Sequence, residues 1–232
     1  MEPSTRYRDT DTVYAGVRGE NLTVASANPV NYHAAITGLD AAPAIDIDAK
    51  LFVPDNPEPL PCVIVVPGSL GVGPNHEQHA ETLVDAGFAV CVIDPFGPRS
   101  VASTVANQTA YSFAASAFDV LAAYSVLAER PEIDAARIGA QGHSRGGSAV
   151  VTAATRRFAD PIVGPDRGLA GVYAVYPWCG HQFLAPSTGS TVVRAIIGDR
   201  DEWCSVQEAQ GLVHAMRAGG GVASIRIVPG AQ

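Results

Sequence analysis

The sequence predicts an α/β architecture: a mostly parallel central sheet with helices on both faces, in one domain spanning residues 1–232. Three observations carry this expectation. Short apolar runs recur from Cys62 to Val228, stretches of helical periodicity separate them, and 47% of the 232 residues are hydrophobic, enough for one large core.

Residues 1–45 read as a loop-rich segment, with short strands at Thr12–Val17 and Tyr32–Ile36. Next, Ile45, Ile47, Ala49, Leu51 and Val53 alternate with Asp46, Asp48, Lys50 and Phe52. That period of two predicts an antiparallel or edge strand with one polar face. Pro54-Asp55-Asn56-Pro57 ends it. Buried strands are then expected at Cys62–Val66, Phe88–Asp94, Arg137–Gly142, Gly171–Tyr176, Val192–Ile197 and Ala223–Val228. Helices are expected at Asn75–Asp85, Thr109–Ala128, Arg145–Phe158 and Val206–Ala218; the second carries Ala114, Phe118, Leu121 and Ala122 at helical spacing.

Composition narrows the function classes. Net charge is −8 and Lys50 is the only lysine, which argues against nucleic acid and against an anionic membrane as partners. The longest apolar runs fall far short of the roughly 20 residues of a membrane helix. The N-terminus carries Arg6, Arg8, Asp9 and Asp11 and no apolar signal core, so a cytoplasmic protein is expected. Four cysteines do not make a disulfide framework. Cys62 and Cys91 fall inside strands; Cys179 and Cys204 fall in loops and could approach each other, although a reducing compartment argues against a bridge.

Parallel sheets place chemistry at the carboxyl ends of their strands. There, Gly142-His143-Ser144-Arg145-Gly146 fits G-x-S-x-G, and no other serine does. A strand precedes it and a small-residue helix follows. A nucleophilic serine on such an elbow needs a strained backbone, and side chains two residues to either side would collide, hence the two glycines. The following helix points its N-terminus at developing negative charge. The alternative is a tight turn with a helix-capping serine.

The chain resembles the dienelactone hydrolase branch of the α/β-hydrolase superfamily. The residues that carry the resemblance are Ala49-Lys50-Leu51-Phe52-Val53-Pro54, the run Val63–Gly71, Asp94-Pro95-Phe96-Gly97-Pro98-Arg99, Ile133-Asp134-Ala135-Ala136-Arg137-Ile138-Gly139, the elbow, and Gly198-Asp199-Arg200-Asp201-Glu202-Trp203. It extends from about residue 45 to the end and implies an α/β-hydrolase fold and hydrolysis of a small carboxylic ester or lactone. Dienelactone hydrolases proper use a cysteine nucleophile with a nearby glutamate. Here the elbow carries Ser144 and the first-strand loop Pro67-Gly68-Ser69-Leu70-Gly71 has no carboxylate, which favours a serine esterase on the same scaffold.

The resemblance selects Asp201 as the triad acid, with Asp199 its competitor; Asp94 reads as a turn residue. Oxyanion donors should be the backbone N–H of Arg145 and one from the Gly68–Gly71 loop, with Ser69 first and Leu70 second. The family's histidine follows the last strand, but none of the six histidines follows Val228. A histidine is therefore expected just past Gln232, on an incomplete C-terminal end, with His181 the alternative base.

His76 and His79 lie three apart on a helix without a third ligand, so no metal is expected. The Gly68–Gly73 stretch matches no nucleotide motif, so no cofactor is expected. Asn21-Leu22-Thr23 and Asn107-Gln108-Thr109 match glycosylation acceptors by chance. Phe96, Trp178, Phe183 and Trp203 follow strands and could line a substrate pocket. Arg145 could meet a substrate carboxylate or enter a local ion pair. Acyl transfer or perhydrolysis at the same site, and a non-catalytic binding protein or pseudoenzyme on a hydrolase fold, stand as alternatives.

Overall fold

The computed structural model describes residues 7–38 and 42–232. Its strands are β1 (Val13–Tyr14), β2 (Val17–Arg18), β3 (Glu20–Ala27), β4 (Ala44–Phe52), β5 (Leu60–Val66), β6 (Ala89–Asp94), β7 (Ile133–His143), β8 (Gly171–Val175), β9 (Val192–Gly198) and β10 (Ala223–Val228). Its α-helices are α1 (Tyr32–Thr37), α2 (Pro74–Asp85), α3 (Phe113–Leu127), α4 (Arg145–Ala153), α5 (Arg156–Val163) and α6 (Val206–Ala218). Eight strands form one sheet in the order β10-β9-β8-β7-β5-β6-β4-β3. Every pairing is parallel except β3 with β4 and β4 with β6. The expected mostly parallel α/β sheet is therefore present.

Helices cover both faces. On one, Ala117, Leu121 and Leu127 of α3, Val150 of α4, Phe158 of α5 and Met216 of α6 pack onto Ile64, Cys91, Ile138 and Ala195 of the sheet. On the other, Ala80 and Val84 of α2 meet Val65, Val90 and Val92. The interior residues of β5 and β6 are buried on both faces, which is why those strands read as continuous apolar runs.

β4 is antiparallel, as its alternation predicts, but β3 occupies the edge and the polar face of β4 is covered. The segment before β3 folds over it. Tyr14 stacks on Phe52 with ring centroids 4.3 Å apart, and Arg8 Nε donates to Asp48 at 2.7 Å. The fully buried Lys50 donates to the Asp9 carbonyl at 2.5 Å and to Asn21 Oδ1 at 2.6 Å. A buried ammonium is tolerated only with such partners.

Three sequence readings are corrected here. Tyr32–Ile36 is a helix and not a strand: Asn31 caps it by accepting from Ala34 N, and Tyr32 and Ile36 share one face one turn apart. The Thr12–Val17 strand is a two-residue ribbon, β1 with β2, and β3, which is polar on one face, had no reading at all. The helix expected at Arg145–Phe158 divides at Ala154–Thr155. Thr155 adopts extended backbone as N-cap of α5, and Arg156 N donates to Ser187 O at 2.8 Å.

Candidate active site

The turn from β7 into α4 places Ser144 at φ 52, ψ −112, a left-handed conformation that a serine adopts only when its surroundings impose it. Close packing imposes it here. A Cβ at Gly142 would come 2.1 Å from Gly146 O, and a Cβ at Gly146 would come 2.4 Å from Val66 O and 2.6 Å from Pro67 O. Both elbow glycines are thus required by contact, and the β5 loop is pressed against the elbow. Ser144 N donates to Val175 O of β8 at 2.9 Å, fixing the turn to the sheet. Ser144 is not the side-chain cap of α4.

Ser144 faces a cleft of about 2200 Å³, whose walls include Asp201, Trp178, Trp203, Phe113 and Gln232. Cys204 shares the cleft wall with Ser144, and burial pushes its thiol up to about 11. Asp201 sits in the loop after β9, and its Oδ1 accepts from Trp203 N at 2.9 Å and Cys204 N at 2.7 Å. Asp199 Oδ1 instead accepts from Gly230 N at 2.7 Å and holds the turn after β10. Of the two acids, only Asp201 reaches the cleft.

The loop after β5 crosses the cleft beside the elbow. Ser69 O accepts from Thr104 N at 2.8 Å and from Ser103 Oγ at 3.1 Å. Its hydroxyl accepts from Gln108 Nε2 at 3.2 Å. Among the described residues, the Ser69 and Arg145 amides have no protein acceptor. The Leu70 side chain is 75% exposed at the mouth.

Arg145 lines the cleft, with its guanidinium bonded to protein groups. Its Nε donates to Ser116 Oγ at 3.1 Å, Nη1 to Gln108 O at 3.0 Å and Gln108 Oε1 at 3.2 Å, and Nη2 to Tyr111 O at 2.6 Å. The guanidinium also lies over Phe113 at 4.1 Å and Tyr111 at 4.5 Å. Burial lowers its pKa. Among the described residues it has no ion-pair partner, and it fastens the 108–113 segment to the elbow. Phe96 is likewise withdrawn: it is fully buried against Tyr111, 5.5 Å between centroids, and lies outside the cleft wall. Trp178 does line the cleft, stacked on Phe113 at 4.6 Å, and so do Phe183 and the 78% exposed Trp203.

Three of the six histidines pack together: the His76 and His79 ring centroids lie 4.8 and 5.0 Å from that of His143. Burial first, then the neighbouring imidazoles, depresses His143 to about 3; burial depresses His76 to about 4. Neither His143 nitrogen has a partner. The His76 ring sits between the Gly68 and Gly73 amides, at 3.4 and 3.2 Å, and so braces the β5 loop. His181 packs among Tyr32, Phe113 and Trp178 in the cleft. No group of three or more potential ligands among the described residues is arranged to hold a metal. All four cysteines are free and buried, so Cys179 and Cys204 are not bridged. No helix among the described residues is long and apolar enough to cross a membrane.

Sequence reasoning missed Tyr32, Gln108 and Phe113. Tyr32 comes from the N-terminal segment through α1, and the 108–113 segment precedes α3, where the sequence pattern predicts a helix from Thr109. No local pattern marks these residues; Gln108 is held by Arg145, 37 residues away, and Tyr32 by ring contacts to Phe158 and Phe183.

Comparison with known proteins agrees with the architecture. A solved structure of a dienelactone hydrolase-like promiscuous phosphotriesterase, P91, from metagenomic libraries superposes with a TM-score of 0.64 at 16% identity, covering 92% of this chain and 82% of that one. A Klebsiella pneumoniae subsp. pneumoniae MGH 78578 protein, provisionally named a dienelactone hydrolase, gives 0.64 at 18% identity, with 91% and 87% covered. A hyperthermophilic esterase from the archaeon Pyrobaculum calidifontis gives 0.63 at 16%, with 96% and 76% covered. At these identities the likeness is one of fold. No curated protein matches the chain. The dienelactone hydrolase family model matches residues 47–232, which takes in the β5 loop, the elbow and Asp201. This chain belongs to the dienelactone hydrolase family.

Proposed function

We propose that the protein is a serine hydrolase that cleaves a small, uncharged carboxylic ester or lactone through an acyl-enzyme on Ser144. The observation that carries this reading is the strained backbone of Ser144, held at the end of a parallel strand with its side chain toward a cleft. A capping serine needs no such strain.

In this mechanism the Ser144 hydroxyl attacks the ester carbonyl while a histidine takes its proton. The N–H groups of Arg145 and Ser69 hold the oxyanion, each worth about 2.7–4 kcal/mol in the transition state. The protonated histidine gives its proton to the departing alcohol, and water, deprotonated by the same ring, releases the acid. Asp201 orients that ring and stabilises its charged form. Gln232 and His181 share the cleft wall with Ser144 and Asp201. His76 and His143 also border the cleft, buried and packed against each other with ring centroids 4.8 Å apart.

An uncharged substrate is supported by the positions of the cations. Arg99 is spent on Asp119, Asn28 and Pro95, Arg145 is fully buried, and Lys50 lies under the N-terminal segment. The aromatic walls favour an apolar acyl or alcohol group. A cytoplasmic setting fits the four free thiols.

The test is turnover of p-nitrophenyl acetate by the protein and by Ser144→Ala. Turnover that disappears in the variant supports the reading; equal turnover in both refutes it and favours the binding-protein alternative.

A further inference from the structure

We propose that Gln108 is a positioning residue that sets the spacing of the two oxyanion donors. This rests on the serine-hydrolase reading above. The side chains of the two residues supplying those N–H groups meet on one amide. Gln108 Oε1 accepts from Arg145 Nη1 at 3.2 Å, and Gln108 Nε2 donates to Ser69 Oγ at 3.2 Å. The Gln108 carbonyl accepts from the same Arg145 Nη1 at 3.0 Å, so Gln108 is clamped to the guanidinium by main chain and side chain together.

The rest of each donor residue is held as well. The Ser69 carbonyl takes Thr104 N and Ser103 Oγ, and its hydroxyl takes Gln108. The Arg145 guanidinium is bonded to Ser116 and Tyr111 besides Gln108, and is sandwiched by two rings. What each residue leaves unpaired is its backbone N–H. Arg145 opens a helix, which is rigid; Ser69 sits in a loop between Gly68 and Gly71, whose only internal tie is Gly71 N to Gly68 O at 3.1 Å. The other bonds of Ser69 run to Thr104 and Ser103 and not to the elbow. The Gln108 amide ties Ser69 to the residue that opens α4, and an oxyanion hole works only when its donors are fixed before charge develops. Only an amide or a carboxylate at position 108 can serve both partners: it must accept from a guanidinium and also bond a hydroxyl. The turn that presents it is built locally, with Asn107 Oδ1 accepting from Thr109 N at 3.0 Å and Thr109 Oγ1 at 2.6 Å, so Asn107-Gln108-Thr109 is an Asx turn.

Steady-state kinetics on p-nitrophenyl acetate test this, with Gln108→Leu, Gln108→Glu, Ser69→Ala, their Gln108→Leu/Ser69→Ala combination and Ser144→Ala, each also melted. Gln108→Leu is expected to lower kcat about ten- to a hundredfold with KM within about twofold, since positioning acts in the transition state. Ser69→Ala keeps the N–H but loses the tether, so it should match that loss, and the double variant should fall no further. Gln108→Glu accepts from both Arg145 and the Ser69 hydroxyl and should retain most of kcat. Unchanged kcat in Gln108→Leu overturns the proposal, as does a Gln108→Glu variant that melts normally yet falls as far as Gln108→Leu, or losses that multiply in the double variant. If Ser144→Ala itself turns over normally, the hydrolase reading fails instead.

Discussion

Asp201 accepts the backbone N–H of Cys204 at 2.7 Å through the same oxygen that takes Trp203 N at 2.9 Å, and it lines the cleft that Ser144 faces. The carboxylate that caps the turn after β9 therefore also borders the nucleophile's cleft. Two roles for Asp201 follow, and they can be separated.

Asp201→Asn keeps an oxygen able to accept from the Trp203 and Cys204 amides, so the fold should survive with little change in Tm. It removes the charge that stabilises a protonated histidine, so kcat should drop by on the order of 10³–10⁴. Asp199→Asn, which affects only the Gly230 turn, should leave kcat within about threefold, a bound taken from the small effects of substitutions away from special features. Melting curves and ester turnover of the two variants check this. A larger loss in Asp199→Asn would move the acid to the other residue.

Acid should destabilise the protein through the histidine cluster. Both His76 and His143 have native pKa values below the ordinary 6.5, near 4 and 3, because burial favours the neutral ring. Above pH 6.5 both rings are neutral in folded and unfolded chains, and their contribution is constant. As pH falls from about 6.5 toward 3–4, the unfolded chain binds protons that the native state refuses, so stability is lost, at up to about 1.4 kcal/mol per pH unit for each ring. His143→Phe should make the stability curve over this range shallower than that of the parent, measured by urea unfolding at several pH values. Superimposable slopes would contradict this.

Arg99 and Asp119 form a buried pair. Both carboxylate oxygens accept from the guanidinium, at 2.9 and 3.0 Å, and Ser26 Oγ adds a bond at 2.5 Å. Arg99→Ala strands a fully buried carboxylate and should cost about 3–5 kcal/mol. Adding Asp119→Ala should recover part of that loss. Urea midpoints of the single and double variants decide it; a double variant less stable than Arg99→Ala would contradict the account.

Substrate charge should matter. A carboxylate entering the cleft meets Asp201 and Glu202, while the two arginines of its wall, Arg99 and Arg145, are bonded to Asp119, Ser116 and Gln108. Between an uncharged aryl ester and an analogue bearing a carboxylate, kcat/KM should favour the first by at least about tenfold, about 1.4 kcal/mol. Equal efficiencies would show that a cation reaches the cleft.

Much of this was legible in the sequence because close packing writes itself into residue type. The doubly covered strands appear as apolar runs, and the elbow appears as two glycines whose Cβ atoms would strike Gly146 O and Val66 O. Place after a strand leaves Asp199 and Asp201 alike, and the resemblance selects Asp201. What was not legible depends on long-range partners. Arg145 reads as a free cation until Gln108 and Tyr111 arrive from a distant loop. Phe96 reads as a pocket residue until Tyr111 covers it. Tyr32 reads as part of a strand because its alternation with Ala34 and Ile36 fits period two as well as a helix turn, and Asn31 decides the matter through a cap. The polar side of β4 reads as solvent-facing until the N-terminal segment covers it with Arg8, Asp9 and Tyr14.

Covalent capture tests the central claim most directly. The protein is treated with a fluorophosphonate, and its intact mass and peptide map are read alongside Ser144→Ala. One adduct per chain, mapped to Ser144 and missing from the variant, is the result expected. An adduct that persists in Ser144→Ala, or a folded protein that takes up none, would contradict the account.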